Sequence, residues 1–289
     1  MQVHLVDGTY ELYRQHFGQV VHHRDPPPFA GTIGVLTSTI QLLADGASHI
    51  GVATDHVIES FRNELYSGYK TSEGMEKVIL DQIPVVEDAL DALGVTVWSM
   101  VEYEADDALG SAVEVASNDR RVHKVLILTP DKDLGQCVKG KRVVQLDRRT
   151  NTIIDEIALR AKFGVGPESI VDYLALVGDS ADGFPGLSGW GAKSASVVLA
   201  RYRTIDLVPD DHRQWVTDGV VVRGAEKLAT TLREHRDDAE LFRILATLVT
   251  SVPVGVVDDW KWNGPTDRFG EVVTRLGAPQ LLERLRRLK

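Results

Sequence analysis

The chain has 289 residues, 43% hydrophobic and 26% charged, enough for one large domain or two modest ones around a sizeable core. A single cysteine, Cys137, excludes a disulfide framework and a cysteine-based zinc site, and no apolar run approaches the roughly 18–20 residues of a membrane span. The start, MQVHLVDG, lacks the basic and long apolar stretches of a secretion signal, so a cytoplasmic, reducing compartment is expected. The formal net charge of −10 argues at first against nucleic acid, whose binders usually present a basic surface.

Gln2–Val6 reads as an apolar strand stopped by Asp7-Gly8, and Thr32–Leu43 repeats its apolar residues at helical spacing. Ile50–Ala53 is a second strand ending near Asp55, Val78–Leu93 is helical, and Val95–Trp98 is a third strand. Glu104–Ala116 is amphipathic, with Ala105, Leu109, Ala112 and Ala116 on one face; Lys124–Leu128 and Arg142–Leu146 are further strands. Strands alternating with helices imply an α/β fold with a mostly parallel central sheet flanked by helices.

Beyond about residue 155 the pattern becomes helical, over Ile157–Phe163, Ile170–Leu176 and Lys193–Tyr202, then along Arg223–Val249 and Arg268–Leu288. The expected division is therefore an α/β domain over 1–160 and a helical region over 161–289, with a soft boundary near 150–165. Pro26-Pro27-Pro28 is a stiff loop and no more.

The placement of acids matters more than their number. Asp7 and Asp55 follow the first two strands, Glu104, Asp106 and Asp107 open the helix after the third, and Asp131 and Asp133 follow the strand at 124–128. In an open parallel sheet the carboxyl ends of the strands line one crevice, so four strand ends deliver seven carboxylates to one edge. Any one of them reads equally well as a helix cap. Together they would repel one another, and bound divalent cations remove that conflict. Carboxylates without cysteine or paired histidine select hard ions such as Mg²⁺ or Mn²⁺, and two such ions about 4 Å apart are a device for in-line phosphodiester cleavage. Asp179 and Asp182, three apart after a helix, add two more acids. The glycine-rich run Gly186-Leu187-Ser188-Gly189-Trp190-Gly191-Ala192-Lys193-Ser194 then opens the next helix. Such a helix-hairpin-helix (helix-three-turn-helix) pattern, over about 170–202, grips a phosphate backbone without reading bases.

These segments resemble the bacterial 5′ nuclease family, the flap endonucleases and the 5′→3′ exonuclease domain of DNA polymerase I. The resemblance is carried in collinear order by Val6-Asp7-Gly8, Ser60-Phe61-Arg62, Gly68-Tyr69-Lys70, Tyr103-Glu104-Ala105-Asp106-Asp107, Thr129-Pro130-Asp131-Lys132-Asp133-Leu134, and Gly178-Asp179 through Lys193. It implies a PIN-like 5′ nuclease fold and a stand-alone, monomeric enzyme acting at 5′ flaps, nicks and 5′ ends of DNA, with RNA primer ends as a further substrate and the nucleoid as its place. Two divalent cations would be held by Asp7, Asp55, Glu104, Asp106, Asp107, Asp131, Asp133, Asp179 and Asp182, with Asp106 and Asp131 central to catalysis. K⁺ would sit among the hairpin carbonyls. Lys70, at the base of a helical arch near 68–85, would stabilise charge on the scissile phosphate, with Lys77 assisting. Tyr13 would stack on a base and Arg14 hold a phosphate. Arg62 either does the same or pairs structurally with an acid. Gly189, Gly191, Lys193 and Ser194 would meet the duplex backbone.

Some residues depart from the pattern. Gly183 stands where many relatives have Asn, Pro130 replaces a small residue, and Lys77 is the only basic residue of Thr71–Ile83, so flap threading is expected to be weaker. Two rival functions share parts of the pattern: a PIN-like ribonuclease, which lacks the hairpin, and a non-catalytic binder of DNA junctions, which gains nothing from acids that repel phosphate. A haloacid-dehalogenase phosphatase would need an acid where Thr9 stands. His22-His23 lack metal-binding spacing, Trp260 and Trp262 read as packing, and Arg284, Arg286, Arg287 and Lys289 read either as a solvated helix face or as a phosphate patch touching the duplex. The nine proposed ligands account for the excess of acids, since −10 less nine acidic charges leaves −1.

Overall fold

The computed structural model describes residues 1–22 and 28–288; His23, Pro26, Pro27 and Lys289 lie outside the described residues. The chain begins β1 (Gln2–Asp7), α1 (Gly8–His22), α2 (Ala30–Ala44), β2 (His49–Asp55), α3 (Arg62–Leu65), α4 (Lys77–Leu80), α5 (Ile83–Ala92), β3 (Thr96–Met100) and α6 (Ala105–Asn118). It continues through β4 (Lys124–Leu128), β5 (Val143–Asp147), β6 (Thr152–Ile154), α7 (Glu156–Phe163), α8 (Ile170–Val177) and α9 (Ala192–Tyr202). The last helices are α10 (His212–Thr217), α11 (Ala225–Glu234), α12 (Arg236–Ala246), α13 (Phe269–Arg275) and α14 (Gln280–Arg286). The fold is mixed α/β: β1 pairs in parallel with β2 and with β4, β2 pairs in parallel with β3, and β5 pairs antiparallel with β6. No helix among them is long and apolar enough to cross a membrane.

Two compact units divide the chain. The first comprises 1–60, 72–129 and 249–289; the second comprises 61–71 and 130–248. This partition differs from the expected cut at 160, because the carboxyl-terminal segment returns to the parallel sheet. Trp260 packs edge-on against Trp98 of β3, with ring centres 5.4 Å apart, and both indole N–H groups donate to the Val254 carbonyl. Trp262 N–H donates to Ser48 O and its indole to Leu93 O, while Thr266 N–H reaches Ala92 O. Both tryptophans are packing residues, as the sequence indicates.

In the first unit four strands run parallel in the order β3-β2-β1-β4. Val3, Leu5, Ile50, Val52, Val125 and Ile127 are fully enclosed, as expected for strands covered on both faces. Helix α6 packs on β1, β2 and β3, and α5 packs on β2 and β3. Gly51 of β2 has no alternative, since a Cβ there would fall 2.1 Å from the Trp98 ring. Two expected long helices are interrupted. Pro84, near the start of α5, has no N–H to continue the hydrogen bonding and splits Val78–Leu93, and Gly277 and Pro279 split Arg268–Leu288. Arg223–Val249 breaks at His235, whose φ of −121° and ψ of 36° leave the helical region.

In the second unit β5 and β6 form an antiparallel pair. Helix α8 is its organising element: Ile170, Leu174 and Leu176 are buried, and it packs against α12, α9 and the short 3₁₀ turn Asp133–Cys137. Sequence periodicity does not reveal α1, β6 and α10, whose mixed composition lacks a sustained repeat. The arch expected near 68–85 is also altered, because turns and the four-residue α4 occupy 71–82 in place of a long helix.

Replacing Trp260 with alanine removes a buried ring together with its contact to Trp98, so the stability loss expected is about 3–5 kcal/mol. Urea denaturation of the variant measures it, and a loss within experimental error would remove the proposed anchoring of residues 249–289.

Candidate metal centre and nucleic-acid interface

In the first unit the strand-end acids double as caps. Asp7 ends β1 with one carboxylate oxygen accepting from Tyr10 N–H at 2.8 Å and the other from the buried Thr129 hydroxyl at 3.0 Å. Asp55 ends β2, where its N–H donates to the Thr9 hydroxyl and its carboxylate accepts from Ala105 N–H, both at 2.8–2.9 Å. Glu104 precedes α6, its side chain accepting from the Ser60 hydroxyl at 2.7 Å. Strand termini and the first turn of α6 thus fix these carboxylates by hydrogen bonds to one oxygen or both, while carboxylate oxygens retain further lone pairs.

Asp107 is the most enclosed of the expected ligands in the first unit. It lies at the third position of α6 and is fully buried. One oxygen accepts from Glu104 N–H in a reciprocal capping box, and the other accepts from Val249 N–H at 2.8 Å. Helical geometry turns this position back toward the helix start, so Asp107 orients Glu104 and anchors the returning chain, whereas Asp106 beside it stays half-exposed.

The second unit holds a tighter cluster. Asp133, Asp179 and Asp182 are all more than nine-tenths buried, and each offers an oxygen within 4.8 Å of those of the other two. The first starts the 3₁₀ turn, and the other two sit in the loop after α8. That loop is closed by Asp179 N–H to Phe184 O at 2.8 Å and Gly183 N–H to Asp179 O at 2.9 Å, while buried Phe184 stacks on Phe242. Asp131 receives Asp133 N–H on its carboxylate, and Gln145 of β5 donates to its carbonyl. Two lysines offset the charge: Lys70 Nζ lies 2.9 Å from Asp182 and Lys132 Nζ 2.6 Å from Asp179. Lys132 is absent from the sequence-derived site, although its place between two expected ligands is a signal that could have found it.

Burial pushes the Asp133 carboxyl well above the usual carboxylate range, and the charges of Asp131, Asp182 and Asp179 push it the same way. Desolvation works against the Lys132 ammonium, yet the bond to Asp179 and the charges of Asp179, Asp133 and Asp131 hold it above its ordinary value. One oxygen of Asp133 is enclosed without a hydrogen-bond partner. Nature rarely leaves such an atom unpaired, and a hard cation held by a carboxylate-only donor set fits it.

The hairpin lies between α8 and α9. Leu187 N–H donates to Leu176 O at 2.9 Å, and buried Trp190 donates its indole N–H to Leu228 O and packs on Trp215. At Gly189 and Gly191 a Cβ would meet nothing within 4 Å, so the backbone there faces open space. Lys193 is exposed in the first turn of α9. The Ser194 hydroxyl exchanges hydrogen bonds with Gly191 N–H and O at 3.0 Å, which makes it a cap of α9.

The remaining expected DNA contacts divide. Tyr13 is half-buried in α1, where desolvation and then the charges of Asp55 and Glu76 raise its phenol; its ring lies 6.1 Å from exposed Phe17. Arg14 makes a two-pronged pair with buried Glu11, at 2.5 and 2.9 Å. Lys77 is exposed and pairs with Asp81. Arg62 is 1% exposed and donates to the carbonyls of Leu245 and Thr247 at the end of α12, at 2.8 and 3.0 Å. A buried guanidinium that donates to two main-chain carbonyls braces the end of that helix, which favours the structural reading of Arg62. Arg286 pairs with Glu283 on an exposed face.

Residues 2–164 match the 5′-3′ exonuclease N-terminal resolvase-like domain, and residues 165–268 match the 5′-3′ exonuclease C-terminal SAM fold. The chain belongs to the 5′-3′ exonuclease family, whose members are nucleases. It is 33% identical over 282 residues to DNA polymerase I of Pseudomonas aeruginosa, covering 91% of this chain and 29% of the polymerase. It thus spans less than a third of that relative's length. A relative of more similar size is the 5′-3′ exonuclease of Buchnera aphidicola, 28% identical over 260 residues with 88% of each chain covered. Among solved structures, the zinc-bound T5 5′-exonuclease superimposes with a TM-score of 0.67 at 18% identity, covering 100% of this chain and 98% of that one. The catalytic core of Rad2 in complex with DNA substrate gives 0.64 at 17% identity, with coverage of 100% and 92%. These two establish a common fold.

The raised carboxyl of Asp133 makes a pH prediction. A group whose folded pKa exceeds its unfolded value of about 4 contributes stability below that value and loses it as pH rises through the folded pKa. Metal-free protein should therefore lose thermal stability as pH rises above about 4, Mn²⁺ or Mg²⁺ should restore it, and Asp133→Asn should blunt both effects. Melting curves across pH, with and without metal, are the measurement; a metal response that survives the substitution intact would exclude Asp133 as a ligand.

Proposed function

We propose that this protein is a structure-specific 5′ nuclease, cutting phosphodiesters at 5′ flaps, nicks and free 5′ ends of DNA. The observation that carries the reading is the buried Asp133/Asp179/Asp182 cluster with its unpartnered oxygen, in a chain of the 5′-3′ exonuclease family that also presents an open glycine hairpin. The proposed ligands of two divalent cations, Mg²⁺ or Mn²⁺, are Asp7, Asp55, Glu104, Asp106, Asp131, Asp133, Asp179 and Asp182. When bound, such ions supply charge stabilisation at a phosphate and a nucleophile at neutral pH.

The side chains act around them. Asp107 holds Glu104 in place through the capping box. Lys70 supplies a positive charge for the phosphoryl oxygens as negative charge grows on them, and its present partner Asp182 keeps it oriented. The backbone at Gly189 and Gly191, with Lys193, holds phosphates of the duplex, with K⁺ as a further ligand of the hairpin carbonyls. Tyr13 offers a ring face to a base, and Lys77, with its exposed pair to Asp81, offers a weaker contact to a flap. Specificity then follows the shape of the DNA, since contacts to phosphates carry no base sequence.

On a labelled double-flap DNA, Asp131→Ala should abolish metal-dependent cleavage while leaving binding intact. Lys70→Ala should slow single-turnover cleavage by about 10²–10³-fold. Lys193→Ala should weaken binding equally across sequences and lower the salt slope by about 1. Faster cutting of single-stranded RNA than of flap DNA would favour a PIN-like ribonuclease, and tight junction binding without cleavage in either metal would favour a non-catalytic binder.

A further inference from the structure

Glu87 of α5 takes no part in the chemistry proposed above, yet only 11% of its side chain is exposed. One oxygen accepts from the Thr54 hydroxyl at 2.6 Å and the other from His56 Nδ1 at 2.7 Å. An ionised carboxylate only accepts, so Nδ1 carries the proton of that bond. Both bonds are short, as bonds to a charged acceptor are, and they offset the cost of enclosing the charge. Thr54 and His56 stand on either side of Asp55, at the end of β2 where the sheet supports it least. The ladder to β1 runs only to Asp7 opposite Ala53; beyond it the pairing continues on the β3 side, with Asp55 opposite Met100. The Asp55 N–H turns instead to the Thr9 hydroxyl. Successive side chains of a strand point to opposite faces. Thr54 therefore faces Glu87, while Asp55 faces the other way, toward Ala105 N–H at the start of α6.

Resting on the function proposed above, we infer that Glu87 is the positioning residue for Asp55. It grips the residues before and after Asp55 from the back of the sheet, so the Asp55 carboxylate keeps a fixed aim on the other face. Without that grip the last residues of β2 gain freedom, and a metal ligand has to be ordered as the ion binds. Groups that orient ligands from behind are worth about 10–100-fold in metal affinity or activity when removed.

The first readout needs no DNA: calorimetric titration of the full chain with Mn²⁺. Glu87→Ala should weaken Mn²⁺ binding by about 10–100-fold and slow single-turnover cleavage of flap DNA in the same direction. Glu87→Gln can accept from the Thr54 hydroxyl and donate to His56 Nδ1 in its other tautomer, so it should bind and cleave near the wild-type level. In an Asp55→Ala background, Glu87→Ala should cause no further loss of affinity, a result that general loosening of the fold would not produce. Glu87→Ala protein that binds Mn²⁺ like wild type overturns the inference. So does a loss that persists in full without Asp55, or an Asp55→Ala protein of unchanged affinity. A Glu87→Gln protein as weak as Glu87→Ala assigns the effect to charge and overturns it too. Should Glu87→Ala fail to fold in melting experiments, His56→Ala, at a side chain 41% exposed, removes one of the two bonds. A fall in its Mn²⁺ affinity that vanishes without Asp55 supports the inference, and an unchanged affinity overturns it. If wild-type protein cuts no DNA while the Mn²⁺ titrations behave as expected, the nuclease reading falls and the positioning of Asp55 stands.

Discussion

Mutual repulsion among buried carboxylates is the constraint on which the second unit depends. Asp133, Asp179 and Asp182 approach within 4.8 Å in an interior that favours neutral groups, and such a cluster disrupts a fold unless positive charge answers it. Lys70 and Lys132 give part of that answer through direct pairs to Asp182 and Asp179. The rest falls to protons or cations, as the raised Asp133 carboxyl and its unpartnered oxygen indicate. Helix α8 makes the strain tolerable, because its apolar face packs the 3₁₀ turn at 133–137 on one side and ends in the loop that carries 179 and 182. Stability and metal affinity are in this way one quantity in two forms.

The first unit handles its acids differently. Asp7, Asp55 and Glu104 are spread over three strand ends, and each is held by a hydroxyl or a helix N–H, so caps and candidate ligands are the same residues. The choice between cap and ligand posed by the sequence is therefore no true alternative for these three. At Asp107 both oxygens accept from main-chain N–H groups, one at the helix start and one on the returning chain. Under the proposed function the negative net charge fits the same picture, since the proposed metal ligands account for most of it and the hairpin glycines and Lys193 are left to meet phosphate.

Much of the fold and of the candidate site is legible in residue type and spacing. Runs such as Ile50–Ala53 are buried on both faces and announce themselves by composition. The spacing in Glu104-Ala105-Asp106-Asp107 or Asp131-Lys132-Asp133 places acids at element boundaries, and those boundaries fall where expected. Expected boundaries fail where a single residue overrides a period, as Pro84 does within Val78–Leu93. Arg62 shows a different limit. An arginine next to a phenylalanine reads alike whether it binds phosphate or braces a helix, and only the arrival of Leu245 and Thr247, more than 180 residues away, decides.

By itself the sequence determined the alternation of strands and helices, the carboxylates at strand ends, the glycine hairpin and the family they resemble, because each depends on residue type and short spacing. Tertiary structure alone decided that residues 249–288 return to the parallel sheet through Trp260, that Lys132 pairs with Asp179, and that Lys70 meets Asp182 through both its N–H and its Nζ. Each of these rests on contact between residues far apart in the chain, and neither periodicity nor motif spacing carries that information.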